Sequence, residues 1–280
     1  MSMRNSASTV EAAVRSVQLQ TIRNWELIVI DDGSSDHSSA IVQGVGDERI
    51  QLVRQHRSSG LASRLNQAVA LSRGEFIARM DADDICFPER LLCQIGRLRE
   101  EPQIDLLGCG AVVFTSGGEL VGEMPIGLTH EKIVERPFVG FPFPHPTWCG
   151  RAAWFRSHPY DSRPIYAEDQ DLLLRSHRDS RFAGIGTVLL GYRQDRLKLR
   201  KLLPGRMSLI ESSWQYGCRT RQMFPALAGI ANHVIKGAVD IATIGFGMNR
   251  SMQRKRLKPI SQLTAARWSA VANELNLSGS

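Results

Sequence analysis

The sequence contains no Cys-x-x-Cys pair and only five cysteines, at positions 86, 93, 109, 149 and 218. So few, in an odd number and widely scattered, argue against a disulfide framework or a cysteine-based zinc site; they fit reduced thiols in a cytosolic protein. No run of 18 or more uncharged apolar residues occurs, so an outright membrane span is not expected. The first nine residues are polar and lack the apolar stretch of a secretory signal. Internal repeats and low-complexity tracts are absent as well. Acidic residues are scarce towards the end: residues 196–280 hold three against 14 Lys and Arg, a net charge of +11, whereas residues 1–195 carry −4. A mildly acidic body with a basic tail argues against a nucleic-acid binder, which spreads positive charge over its fold. It suits a tail that meets an anionic membrane surface.

What is present is a chain of 280 residues, 42% apolar and 22% charged, enough for one packed domain with an appendage. Residues 5–17 place Val10, Ala13, Val14 and Val17 at helical spacing, with Asn5 or Ser8 as cap. The run WELIVI at 25–30 reads as a buried strand, closed by the turn DDGSS. A helix to about 45, a strand at 50–53, a helix at 60–71 and a strand at 75–80 follow. Pro88 opens a helix to 99, and 106–114 is a further strand. Alternating strands and helices predict a largely parallel sheet covered on both faces. Ligands of such sheets bind beyond the carboxyl ends of the strands, where both acidic clusters of this half fall.

Three acidic groups are candidates for chemistry. Asp81 and Asp83, at i and i+2 after a strand, can hold a divalent ion whose remaining shell is water and phosphate oxygen; a solvated acidic turn would look the same. Asp31 and Asp32 can recognise a nucleotide's ring N–H or ribose hydroxyls, although a phosphoacceptor site or a helix cap shows a similar pair. Glu168, Asp169 and Asp171 precede Leu172–Leu173–Leu174. They read either as favourable charge at a helix start or as the home of a general base.

Order and context together resolve this ambiguity. The segments NSASTVEAAVRSVQLQT (5–21), WELIVIDDGSSD (25–36), GLASRLN (60–66), GEFIARMDADDICFPERL (74–91), His145-Pro146-Thr147 and AEDQDLLLR (167–175) resemble glycosyltransferase family 2, across residues 3 to about 193. The resemblance implies an α/β GT-A fold, that of nucleotide-diphospho-sugar transferases: a mostly parallel sheet flanked by helices, spanning 1–195. Residues 196–280 would form a basic, mostly helical C-terminal region. It implies an inverting, metal-dependent enzyme that moves a single sugar from a nucleotide-sugar, UDP being the commonest donor nucleotide, to a saccharide or lipid-linked acceptor in surface glycan synthesis. By the same resemblance Asp32 and Asp31 face the nucleoside and Asp83 is the metal carboxylate for Mg²⁺ or Mn²⁺. Asp81 lies near ribose and metal, and Asp169 deprotonates the acceptor. Arg64, Arg79 and His145 are further donor-side candidates, each equally readable as structural.

Two departures bear on activity. Only four residues precede Asn5, so the family's first strand is expected to be missing or truncated, which keeps open a catalytically inert, nucleotide-sugar-binding relative. Residues 194–197 lack the Gln-x-x-Arg-Trp signature of processive synthases, so single-sugar transfer is expected. A phosphotransfer or receiver domain using Asp31 and Asp32 fits less well, since it would end near residue 125. Residues 224–248 are apolar but interrupted by Asn232, His233, Lys236 and Asp240, which would be costly at a bilayer centre. With the basic cluster Arg250, Arg254, Lys255, Arg256 and Lys258, they read either as peripheral attachment to the inner face of the membrane or as a helix packed on the domain. A cytoplasmic, peripheral location and no nucleic-acid partner are the resulting expectations.

Overall fold

The computed structural model describes residues 1–163, 166–195, 199–246 and 255–277. Two sheets form the body. In the first, β1 (Ser2–Met3), β2 (Leu27–Asp31) and β3 (Ile50–Arg54) lie parallel in that order. The second runs β4 (Phe76–Ala78), β8 (Cys149–Arg151), β6 (Leu106–Phe114), β9 (Phe182–Arg193) and β5 (Ile85–Cys86), with β7 (Leu120–Glu123) on β6. β6 and β9 are parallel, whereas the β4–β8, β6–β8, β5–β9 and β6–β7 pairs are antiparallel. The expected alternation is therefore present, but the pairing is mixed rather than mostly parallel. The reason is that β4, β5, β7 and β8 are two to four residues long and pair without a helical crossover to a parallel neighbour. Where β6 and β9 shift register at Gly110, a side chain would meet the Gly186 and Thr187 carbonyls at 2.9 Å, so the bulge requires glycine.

Helices α1 (Val10–Gln18), α2 (Ser38–Gly44), α3 (Leu61–Leu71) and α4 (Arg90–Glu100) cover these sheets. The predicted apolar side of α1, Val10, Ala13, Val14 and Val17, is buried. Its N-cap is Thr9 rather than Asn5 or Ser8, because Asn5 and Ser6 are instead tied to the β2–α2 turn. Asn5 Oδ1 accepts from the Ser35 N–H at 2.8 Å, and Ser38 Oγ accepts from the Ser6 N–H. Short α5 (His130–Ile133) and α6 (Ala152–Ser157) precede α7 (Glu168–Ser176), and α8 (Leu199–Thr220), α9 (Met223–Gly245) and α10 (Gln262–Glu274) complete the chain. The last helix returns to the body: Trp268 packs tilted against Phe114, ring centroids 4.4 Å apart, beside buried Phe87 and Val271.

The first strand is present but short. Beyond its two residues β2 is unpaired on that side from the Ile28 N–H back towards Trp25, and a cavity of about 920 Å³ lies between β2 and β4. Met1, Leu27, Ile28, Phe76 and Ala78 line it. The Met1 amine donates to the Ile28 carbonyl at 2.9 Å. Burial, and next the Arg79 charge, push that amine down to about 5.

Candidate active site

The end of β4, the start of β8 and the start of α7 converge. β4 runs out into Arg79, Met80 and the Asp81–Asp84 turn. The short helical turn His145–Thr147 leads into β8, and Trp148 O accepts from the Arg79 N–H at 2.8 Å, fixing the two loops together. Arg90 reinforces the junction from beneath: fully buried, it donates to the Arg79 carbonyl at 2.7 Å and to the Trp148 carbonyl at 3.3 Å.

The oxygens of Asp81, Asp83 and Asp84 lie within 4.8 Å of one another. Asp84 is fully buried. One of its oxygens accepts from the Arg193 N–H at 3.0 Å, and the other, Oδ2, has no hydrogen-bond partner. Burial, then the Asp81 and Asp83 charges, push its carboxyl well above the usual range. Clustered hard oxygens with one buried and orphaned are what a divalent cation neutralises, so these residues fit Mg²⁺ or Mn²⁺. A cleft of about 380 Å³ opens over Asp81 and Asp83 and is bordered by Met3, Asn5, Thr9 and Arg193.

The second cluster is His145, Glu168 and Asp169, whose ligating atoms also lie within 4.8 Å of one another. Glu168 and Asp169 open α7 after Ala167, which sits at φ +89°, a left-handed conformation costly for a residue with a Cβ. Burial, and next the Asp169 charge, push Glu168 up to about 7. Burial also raises Asp169, against a bond from Gln170. His145 is buried, shares a 2.8 Å hydrogen bond with the Tyr160 hydroxyl and lies 3.8 Å from Glu168. Burial, aided by Arg79, holds it well below the ordinary histidine value, hence neutral. His145 thus stands behind Glu168, packed against Trp148 at 4.5 Å.

Arg79 joins the two clusters. It is buried, pairs with Asp81 at 2.6 Å and feels the charges of Asp84 and Glu168. Its Nε and Nη1 have no hydrogen-bond partner.

The other predicted donor residues are committed within the protein. Asp31 Oδ1 accepts from the Ser34 N–H at 2.8 Å and its Oδ2 from the Ser39 hydroxyl. Asp32 accepts four bonds: Ser59 N–H and Arg64 Nε on Oδ1, and the Ser58 hydroxyl and Gly60 N–H on Oδ2. Burial disfavours its charge, but those bonds outweigh burial and hold its pKa below the ordinary carboxylate value. Four bonds fill a carboxylate's acceptor sites. Arg64 is equally engaged, with Gln67, the Arg57 carbonyl and Ser59 besides Asp32. In this arrangement Asp32 and Arg64 clamp the 57–60 loop, whereas Asp81, Asp83 and Asp169 lie in the two acidic clusters. Asp84, Tyr160 and Arg90 were not singled out for the site from sequence, and Glu168 only as part of the acidic helix start. Of these, Asp84 and Glu168 carried a legible signal, since each adjoins a predicted site carboxylate.

A split, mixed sheet with acidic residues at its strand ends and a carboxylate-headed helix facing them is the GT-A arrangement. Similar solved structures include the TarS protein of S. aureus with UDP-GlcNAc (TM-score 0.64, 14% identity, 99% of this chain and 79% of that one) and the mannosyltransferase PcManGT of Pyrobaculum calidifontis with GDP-Man and Mn²⁺ (TM-score 0.62, 13% identity, 100% and 86%). The model of glycosyl transferase family 2 matches residues 1–157, more than half of the chain, and the chain belongs to that family. It is 32% identical over 181 residues to the putative glycosyltransferase EpsE of Bacillus subtilis, a match covering 62% of this chain and 64% of that one. It is 29% identical over 195 residues to an Escherichia coli enzyme named UDP-Glc:alpha-D-GlcNAc-diphosphoundecaprenol beta-1,3-glucosyltransferase, covering 68% and 73%. The chain thus spans a little under two thirds of the Bacillus relative.

Proposed function

We propose that this protein is an inverting glycosyltransferase that moves one sugar from a nucleotide-sugar, with UDP as the nucleotide, onto a saccharide or lipid-linked acceptor of a surface glycan. The observation that carries the reading is the facing pair of carboxylate clusters, Asp81–Asp83–Asp84 and Glu168–Asp169, coupled through buried Arg79. The E. coli relative's name, with its UDP-sugar and diphosphoundecaprenol acceptor, supports the choice of donor and acceptor class.

In this mechanism Asp169 accepts the proton of the acceptor hydroxyl. That oxygen attacks the anomeric carbon from the side opposite the diphosphate, the bond to the leaving diphosphate breaks, and configuration inverts. Asp83 and Asp81 would hold Mg²⁺ or Mn²⁺, which when bound supplies positive charge against the leaving diphosphate. Arg79 holds Asp81 in place through the ion pair between them. Asp31, Asp32 and Arg64 hold the loops that border the nucleoside side, and neutral His145 fixes Glu168. The protein works on the cytoplasmic side, residues 1–195 carrying the catalysis and the basic C-terminal region meeting an anionic membrane surface.

The test is release of nucleoside diphosphate from UDP-Glc, UDP-GlcNAc and GDP-Man, with Mg²⁺ or Mn²⁺, in the presence of a polyprenyl-diphosphate-linked saccharide. Turnover of one donor supports the reading. Donor binding without turnover of any of them supports the second reading, an inert nucleotide-sugar-binding relative.

A further inference from the structure

Helix α9 is built inside out. Its buried positions, Ala226, Gly229, His233, Gly237 and Asp240, recur every three or four residues and form one face. That face is small and polar. A side chain at Gly229 would stand 2.5 Å from the Phe138 carbonyl, so the helix lies tight on the body. His233 bonds to the same carbonyl at 3.1 Å, and fully buried Asp240 pairs with Arg206 from α8 and with Arg256. The opposite face is open and apolar. Phe224 is 86% exposed, Leu227 51%, Val234 57%, Ile235 64%, Ile241 51% and Phe246 82%. Ala228, Ala231, Ala238 and Ala242 fill the spaces between them. The polar residues that interrupt this segment in sequence are therefore turned inward, apart from Lys236 at the edge. The apolar stripe runs about 35 Å along the 23-residue helix.

An uninterrupted apolar stripe of that length on a soluble surface marks a partner. The surrounding charge states which one. Arg219 and Arg221 stand exposed at the start of α9, and Lys255 and Lys258 stand exposed beyond its end. The 196–280 region carries three acids, of which Asp240 is already neutralised by two arginines. Apolar surface bordered by unopposed cations matches an anionic lipid bilayer, with acyl chains for the stripe and headgroups for the flanks.

We infer that α9 lies in the plane of an anionic membrane, its exposed face sunk into the lipid, rather than crossing the bilayer. A crossing would require the His233 and Asp240 side to leave the body it is packed on. Arg256 does not serve the headgroups, because Asp240 holds it. Arg250 and Arg254 lie outside the described residues. This inference deepens the membrane element of the proposed function but stands on α9 alone.

The experiment is co-sedimentation of the full chain with vesicles of phosphatidylglycerol and phosphatidylethanolamine in a 1:3 ratio, and with neutral phosphatidylcholine vesicles. Wild-type protein is expected to pellet with the first, and at least tenfold less of the Leu227→Ser/Ile235→Ser variant should do so. Both positions are exposed, so the variant keeps its thermal midpoint. Lys255→Gln/Lys258→Gln should weaken binding by a smaller factor and remove its salt dependence. Equal pelleting of wild type and the serine variant overturns the inference, as does no pelleting of wild type. A dimer by light scattering that the serine variant makes monomeric, without vesicle binding by either, assigns the stripe to a second copy and also overturns it. Donor hydrolysis is measured on the same samples. Its absence in wild type counts against the transferase reading and leaves the membrane result standing.

Discussion

Replacing Asp169 by Asn tests the centre of the proposed mechanism. The amide keeps the shape of the carboxylate but cannot accept the acceptor's proton, and a positioned general base is worth about 10²–10⁴-fold in rate, roughly 3–5 kcal/mol. Transfer should fall by that factor while donor and metal binding, read by calorimetry, remain. The pH profile adds a sharper signature. Burial raises both Glu168 and Asp169, and Glu168 is pushed up to about 7, so the pair gains protons as pH falls through neutrality. A base works only when ionised, and burial raises Asp169, so the rate should decline on the acid side at a higher pH than an ordinary aspartate would set. Glu168→Gln removes the negative neighbour of Asp169, which eases Asp169 ionisation and should move that acid limb to lower pH with most activity retained. The stability effect has a definite sign. A carboxyl raised on folding binds its proton more tightly in the native state, so between its unfolded value of 4.5 and about 7 stability falls as pH rises. Glu168→Gln should therefore be more stable than wild type at pH 8, by at most about 3 kcal/mol, with the difference gone by pH 4. Asp171 is the control: its oxygens accept from Arg175 at 2.8 Å and from Ser212 of α8 at 2.9 Å, so Asp171→Asn should lower the melting temperature rather than the pH limb. Loss of transfer in Glu168→Gln with full activity in Asp169→Asn would refute the assignment.

Asp83→Asn should abolish metal-stimulated donor turnover while circular dichroism and thermal midpoint stay near wild type; turnover within a few-fold, with the same metal response, would remove Asp83 from the mechanism. Asp32→Asn strands Arg64, buried with it at 2.6 Å, and should cost about 3–5 kcal/mol in denaturant unfolding, where a loss below 1 kcal/mol would show that the loop clamp is dispensable. Fusing five alternating apolar residues ahead of Met1 should raise the thermal midpoint, because one or two side chains buried in the 920 Å³ cavity contribute about 1.5–3 kcal/mol each. The same fusion converts the Met1 amine into a peptide bond. That amine titrates at about 5 folded against 8.0 unfolded, so the unfolded chain holds the extra proton between those values and stability rises with pH across them. The fused chain should lose that slope, and an unchanged slope would show that the amine is not buried in solution.

Much of the architecture was legible because strand ends and helix starts are written locally. The β2 run, closing on Asp31, and the β4 run before Asp81 stand where the apolar blocks and acidic turns placed them. Strand partnership was not legible. Nothing local to residues 182–193 says that they form a twelve-residue strand parallel to β6 and antiparallel to β5. Site roles divided along the same line. That Asp81 and Asp83 share a turn follows from spacing, and the structure adds the orphaned Asp84 beneath them. That Asp31 and Asp32 spend their oxygens on Ser34, Ser39 and the 58–64 loop could not be read from a tripeptide, since every partner but Ser34 lies eight or more residues away.

Helix α9 shows the same limit from another side. A sliding view of residues 224–248 averages over faces, so His233 and Asp240 look like interruptions. Folding the segment at 100° per residue separates them onto one side, but that alone does not tell which side meets the body. Hydrophobicity by itself predicts the wrong one, with the apolar side inward. The decision rests on groups distant in sequence: the Phe138 carbonyl, which needs a donor, and Arg206 and Arg256, which need an acid. Once Asp240 answers two arginines, turning it outward would break a buried ion pair, a loss of about 3–5 kcal/mol. Covering the apolar face in water would require a second surface that the described residues do not supply. The polar contacts are internal and the apolar ones are left for a partner, so the face that sequence alone would bury is the one the fold exposes.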